Sequence, residues 1–305
     1  MNNNFNHKNR NQGVGKTAYR LLLALFSLCL VCGFAACSGE EEDTTPSLAD
    51  INGFAPADND NSPTAQLRRE FYSQTGSYLL FKDTLITKTS EGRPELLDVT
   101  YFIMGSIDWQ YDKEYSYEYI SDINQQRKAA EYVQEYLVKR LGKNTPFSFF
   151  LVNDLKYYYR GRIRRIDKVL GLRSYVISMN NGEAFEDPET YFGDMMFDIV
   201  KGAMSKAPEE QINRFYAFSK PYYGNDLDEP LTDQEVWDLG MFYYIEDDRW
   251  GDYFYYQSDD LAEWLEAVLT ITPSEFEAKY GSSSVMMEKY ALIRQIVIDL
   301  GFGIE

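Results

Sequence analysis

Apolar positions recur in two rhythms along this chain, and the rhythm changes near residue 188. Before that point β-rich runs dominate. Ser77-Tyr78-Leu79-Leu80-Phe81, residues 99–103, residues 146–152 and residues 172–179 predict strands, the last closed by the turn signal Asn180-Asn181-Gly182. Two helices interrupt them. Residues 65–75 have Thr64 as a candidate N-cap and Gly76 as a stop. Residues 120–141 repeat Ala129, Val133, Tyr136, Leu137 and Leu141 close to the helical period, with Gly142 behind them. From there on the pattern is helical. Asp187-Pro188-Glu189 starts a helix to Met204, whose apolar face is Phe192, Met195, Met196, Ile199, Val200 and Ala203. Further starts fall at Pro208, Thr232, Ser258 and Pro273, and residues 285–300 form the last helix. Strands mixed with helices, then helices alone, predict an α+β class with a mainly helical C-terminal half.

The first residues follow neither rhythm. Lys8, Arg10, Lys16 and Arg20 precede a run of sixteen almost wholly apolar residues, Leu21 to Ala36. A bilayer span needs about 20 such residues. A basic stretch followed by a shorter apolar one reads as a secretory leader, residues 1–36. It ends Phe34-Ala35-Ala36-Cys37, which resembles the bacterial lipobox with Phe34 where leucine is usual. Cys37 is therefore expected to carry a thioether-linked lipid. The other cysteines, Cys29 and Cys32, lie inside the leader, so lipidation accounts for the one thiol left over. The acidic run Glu40-Glu41-Glu42-Asp43 resembles the surface-export signal of Bacteroidetes lipoproteins and points to the outer face of the outer membrane. Residues 37–63 are rich in Asp, Asn, Pro, Ser and Thr and are expected to be a flexible tether, with Asp58-Asn59-Asp60-Asn61 part of it; residues 64–305 are the expected globular domain.

Charge narrows the partners. After the leader the chain holds 26 basic against 48 acidic residues, a net charge of −22. Such a body repels nucleic acid and anionic membrane surfaces, so its expected hold on a membrane is the lipid at Cys37. Arg160, Arg162, Arg164 and Arg165 are expected as internal salt-bridge partners within this acidic surround. The single histidine, His7, lies in the leader. The usual Ser-His-Asp and Cys-His mechanisms and the common histidine zinc sites therefore lack their central residue. Two carboxylates could still run a glycosidase, and with 48 acidic residues such pairs are easy to draw.

Several stretches together have a particular order. They are FYSQTGSYLLF at 71–81, FSFFLVND at 147–154, YVISMN at 175–180, the segment 208–223, DDLAEWLEAVL at 259–269, and a last helix holding Lys289. This series resembles the zinc-binding metallopeptidase lipoproteins of Bacteroidetes, which often accompany outer-membrane nutrient-import systems. The resemblance covers most of the chain from about residue 64. It implies a zincin-like fold, a small mixed sheet with helices, and an HExxH helix. That motif sets two histidines one turn apart so both meet one zinc, with the glutamate acting on bound water. The matching place lies in DMMFDIVKGAM, where Phe197 and Lys201 stand for the histidines and Asp198 for the glutamate. A phenyl ring cannot ligate zinc and an ammonium repels it, so no zinc or other cofactor is expected. Read from its residues alone, the segment is a core helix with an apolar face. The resemblance adds that Lys201 could pair with a carboxylate where the metal once sat.

Aromatic residues make up 16% of the chain. Dense groups lie at Tyr157-Tyr158-Tyr159, Phe242-Tyr243-Tyr244 and Tyr253-Phe254-Tyr255-Tyr256. Consecutive rings cannot all face one core. Tyr243, Trp250, Tyr253 and Tyr255, near Asp247, Asp248 and Asp252, are the candidate ligand-facing rings; core packing with wet hydroxyls is the plainer reading. The expectation is a catalytically inactive, metallopeptidase-like surface lipoprotein that captures glycan or peptide for an import complex. A carboxylate-based glycoside hydrolase and a purely structural lipoprotein are the alternatives.

Overall fold

A computed structural model describes residues 52–86, 92–97, 114–159, 161–249 and 251–304. Cys37, the strand expected at 99–103, Arg160 and Trp250 lie outside the described residues. Asn52–Glu305 gathers into one compact unit of class α+β.

That unit begins earlier than the composition suggested. Residues 52–63, expected as the end of the tether, are part of it. Phe54 is only 6% exposed, packed in a cluster with Leu80 and Phe150. Helix α1 spans Pro63–Thr75, and Ser62 rather than Thr64 caps it, its Oγ accepting from the Ala65 backbone N–H at 3.2 Å. Pro63 explains the shift: its fixed φ suits the first helical position and moves the start two residues forward. Thr64 instead donates its hydroxyl to Gln126 at 2.7 Å.

The main sheet is organised around one long strand. Strands β1 (Tyr78–Leu80), β4 (Glu114–Tyr119), β5 (Ser148–Tyr159), β6 (Arg162–Arg165), β7 (Lys168–Leu170) and β8 (Ser174–Ser178) form it; β2 (Thr84–Ile86) and β3 (Glu95–Leu96) pair separately. The first half of β5 pairs in parallel with β1 and β8. Its second half pairs antiparallel with β4 and β6. Alternation decides the two faces. Phe149 and Leu151 enter the large core shared with the helices, while Phe150 and Val152 enter the smaller core on the other face. The unbroken apolar run at 149–152 therefore reflects a strand covered on both sides.

The helix read at 120–141 is continuous but not uniform. Asp122 caps α2 (Ile123–Tyr132) by accepting from the Gln125 N–H at 2.9 Å. A π-helical turn, Val133–Val138, follows, then α3, Lys139–Leu141. Ala129, Val133, Leu137 and Leu141, all with no exposure, are spaced by four. In a regular α-helix that spacing drifts the stripe by about 40° per step. The wider π turn holds the stripe on the core. Gly142, at φ 55°, then lets the chain pass the C-terminal residues closely; a Cβ there would lie 2.5 Å from the Gly301 carbonyl oxygen.

The second half is helical as the pattern predicts: α4 (Glu183–Glu186), α5 (Pro188–Ala203), α6 (Glu209–Ala217), α7 (Asp233–Asp238), α8 (Gln257–Thr270), α9 (Pro273–Tyr280) and α10 (Ser284–Asp299). Thr232 with Glu235 and Thr272 with Glu275 form capping boxes at α7 and α9. The buried stripes of α5, α8 and α10 meet in one core.

Candidate functional site

Helix α5 holds Phe197, Asp198 and Lys201, the three residues expected at the positions of a metal motif. Its buried side is Phe192, Met195, Met196, Ile199 and Val200, against the large core. One position on from that stripe, Phe197 is half-buried, while Asp198 and Lys201 are exposed. The cation that meets a carboxylate here is not Lys201. Lys168 reaches across from β7, its Nζ 2.7 Å from Asp198 Oδ2 and 3.2 Å from Asp167 Oδ2. Burial opposes the charge on Lys168, but hydrogen bonds and charge from Asp198 and Asp167 outweigh it and raise its pKa above the ordinary lysine value. Lys201 lies over the Phe197 ring at 5.4 Å, a cation–π contact one helical turn apart. The spacing that would aim two imidazoles at one ion thus aims an ammonium at a ring. Neither group is a zinc ligand, so the residues present do not fit that metal.

The C-terminal aromatic region divides between core and surface. Tyr255 is 1% exposed, and its hydroxyl donates to Asp260 Oδ1 at 3.2 Å. It is held in the core, while Tyr243 and Tyr253 stay at or near the surface. Tyr243 donates to Glu263 at 2.9 Å, and its ring lies 5.2 Å from that of Tyr255. The backbone of Tyr253 bridges to Asp226 and to Ile245, tying this loop region together. A second aromatic group escaped the sequence reading because its members are far apart in the chain. Tyr72 stacks on Tyr78 at 4.4 Å, Phe147 packs on Tyr78 and Phe54, and the Arg173 guanidinium lies over Phe54 and Phe147. Tyr72 and Phe147 are more than two-fifths exposed.

The densest polar cluster is sealed inside. Lys289 of α10 is wholly buried, with Nζ 2.7 and 2.9 Å from the two oxygens of Asp260 in α8, 2.8 Å from Ser219 Oγ and 2.9 Å from the Gly240 carbonyl. Its ammonium also lies 4.6 Å from the Phe215 ring centre and 5.0 Å from that of Trp264. Tyr223 donates to Asp260 Oδ2 at 2.6 Å. Desolvation lowers the Lys289 pKa to about 8 against the opposing pull of Asp260. A serine and a lysine at this distance could form a nucleophilic dyad, but Ser219, Asp260 and Lys289 have no exposure at all. The cluster joins α8, α10 and the chain around 219–240. Asp260 and Lys289, twenty-nine residues apart in the chain, meet as one ion pair.

Four carboxyl groups elsewhere lean away from acid catalysis. Asp154, on β5, is 2% exposed, with Lys156 Nζ at 2.5 Å and Arg165 Nε at 2.7 Å. Burial opposes its charge, but those two cations outweigh burial and lower its pKa. Asp60 and Glu235 are lowered chiefly by the backbone N–H groups of Ser62 and Thr232, and Glu275 chiefly by the Thr272 hydroxyl. A glycosidase acid needs the opposite shift. Of the arginines expected as salt-bridge partners, Arg165 takes that role; Arg162 and Arg164 are exposed on β6.

No protein-family model matches this chain, and neither the curated proteins nor the solved structures contain a detectable match to it.

Proposed function

We propose that this chain is a lipid-anchored outer-membrane protein whose metallopeptidase-like, zincin-like body binds without cleaving, capturing glycan or peptide for a nutrient-import system. The observation that carries this reading is the ion pair of Lys168 with Asp198. Asp198 occupies the place of the general base, and its carboxylate holds a lysine ammonium, while Phe197 and Lys201 take the places of the two imidazoles. Exposed rings at Tyr243 and at Tyr72 with Phe147 supply surfaces on which a ligand can rest.

The full chain, extracted in detergent and dialysed against zinc, is expected to retain no stoichiometric metal by elemental analysis and to cleave no member of a peptide library. One tightly held zinc per chain would refute the reading. The anchor is tested separately: metabolic palmitate labelling is expected in the wild type and absent from Cys37→Ala.

A further inference from the structure

A groove of about 480 Å³ opens between the π turn Val133–Val138, the end of α8 and the C-terminal residues. Tyr136, Lys139 and Arg140 line one side; Leu269, Ile271 and Ile304 line the other. The volume suits a small ligand, and the lining is mixed, with aliphatic side chains beside charged and hydroxyl groups. The π turn is a second mark, since such turns occur often at functional sites. The C-terminal residues are held across α3 by backbone bonds from Lys143 N–H to the Gly301 carbonyl at 2.9 Å and from Gly303 N–H to the Arg140 carbonyl at 2.8 Å.

Charge at this groove runs against the rest of the molecule. The chain carries 48 acidic residues against 30 basic. Yet Arg140, on the groove wall, makes no side-chain ion pair or hydrogen bond among the described residues. Lys139 is paired at 2.5 Å with Glu135, which also lines the groove, and so leaves Arg140 as the lining cation without a charged partner among the described residues. A guanidinium left without a partner in so acidic a body is a ready site for a carboxylate, which it can grip with two parallel bonds. The aliphatic walls suit a branched apolar side chain. A sugar ring finds less, because the Tyr136 ring already lies parallel to Phe192 at 5.9 Å.

We infer that this groove binds the C-terminal carboxylate of a short peptide ending in an aliphatic residue, with Arg140 on the carboxylate and Leu269, Ile271 and Ile304 around the side chain. None of these residues lies on the α5 face, so the inference stands apart from the fate of the metal motif. Calorimetric titration of the full chain decides it, with acetyl-Ala-Ala-Leu, its C-terminal amide and glucuronate as ligands. The free acid is expected to bind, and both the amide and the Arg140→Ala variant to bind at least about tenfold more weakly. Lys139→Ala should change little, since its charge is exposed and already paired. Failure of the free acid to bind, equal binding of acid and amide, or glucuronate matching the peptide would each overturn the inference. So would unchanged affinity in Arg140→Ala. If that variant misfolds, the acid and amide still separate on the wild type.

Discussion

Lys289→Met is expected to destabilise the domain by about 3–5 kcal/mol, because it leaves the Asp260 carboxylate buried without its cation. A domain typically holds about 5–15 kcal/mol in all, so the loss is a large share. The side chain that replaces lysine is of similar length, which keeps packing against Phe215 and Trp264 near its present state and isolates the charge. Asp260 still accepts from Tyr223 and Tyr255, but two neutral donors do not replace an ammonium 2.7 Å away. The double variant Lys289→Met with Asp260→Asn should recover part of the loss, since the amide carries no charge and keeps an acceptor for one of those two hydroxyls. Urea denaturation of both variants measures this. A single-variant loss below about 1 kcal/mol would show that water reaches the pair, contrary to its complete burial.

Alkali should unfold this protein steeply above pH 10. Tyr191, Tyr223 and Tyr255 have pKa values raised above the ordinary tyrosine value of 10.0, each chiefly by burial, and the last two also by the Asp260 charge. A group whose folded pKa is raised keeps its full stabilising effect below its unfolded pKa and loses it as pH climbs beyond. Each tyrosine held neutral in the fold therefore costs about 1.4 kcal/mol per pH unit once the unfolded chain can ionise it. Three together cost about 4 kcal/mol per unit. Lys289 works in the other sense between its folded value of about 8 and the ordinary 10.5, offsetting one proton over that window alone. Tyr119 and Tyr243, pushed up to about 12, are more than a third exposed and add less. Denaturation midpoints between pH 9 and 12, followed with tyrosinate absorbance, test this. Ionisation of all tyrosines near pH 10 in a chain that stays folded would contradict it.

Both predictions turn on residues whose roles were partly legible. The DDLAEWLEAVL stretch and the last helix were recognisable as elements, and Asp260 and Lys289 could be named within them. Their meeting could not be read, because it needs α8 and α10 to pack with the right faces together. The same holds for Lys168. Thirty residues separate it from Asp198, and only the placement of β7 beside α5 brings them to 2.7 Å. Lys201 was the nearer candidate in sequence, but helical spacing turned it onto Phe197. The groove was illegible for a further reason. Its walls come from three distant stretches, and its π turn follows from a four-residue apolar spacing that resembles ordinary helical period when counted loosely.

What the chain determines by itself is local. Proline and Asp, Ser or Thr caps set the starts of α1, α5, α7 and α9; unbroken apolar runs set β5 and β8; Gly142 ended the long helix. The chemistry of Phe197 and Lys201 was also fixed by residue type, since no fold makes a phenyl ring or an ammonium into a zinc ligand. What only tertiary structure decided is pairing between distant side chains. It chose Lys168 for Asp198 and Lys289 for Asp260, took Tyr255 into the core, extended the domain back to Asn52, and left Arg140 without a side-chain partner among the described residues. The physical reason is range. Caps and periods act within a few residues, whereas an ion pair acts across about 3–4 Å of space and is indifferent to separation along the chain.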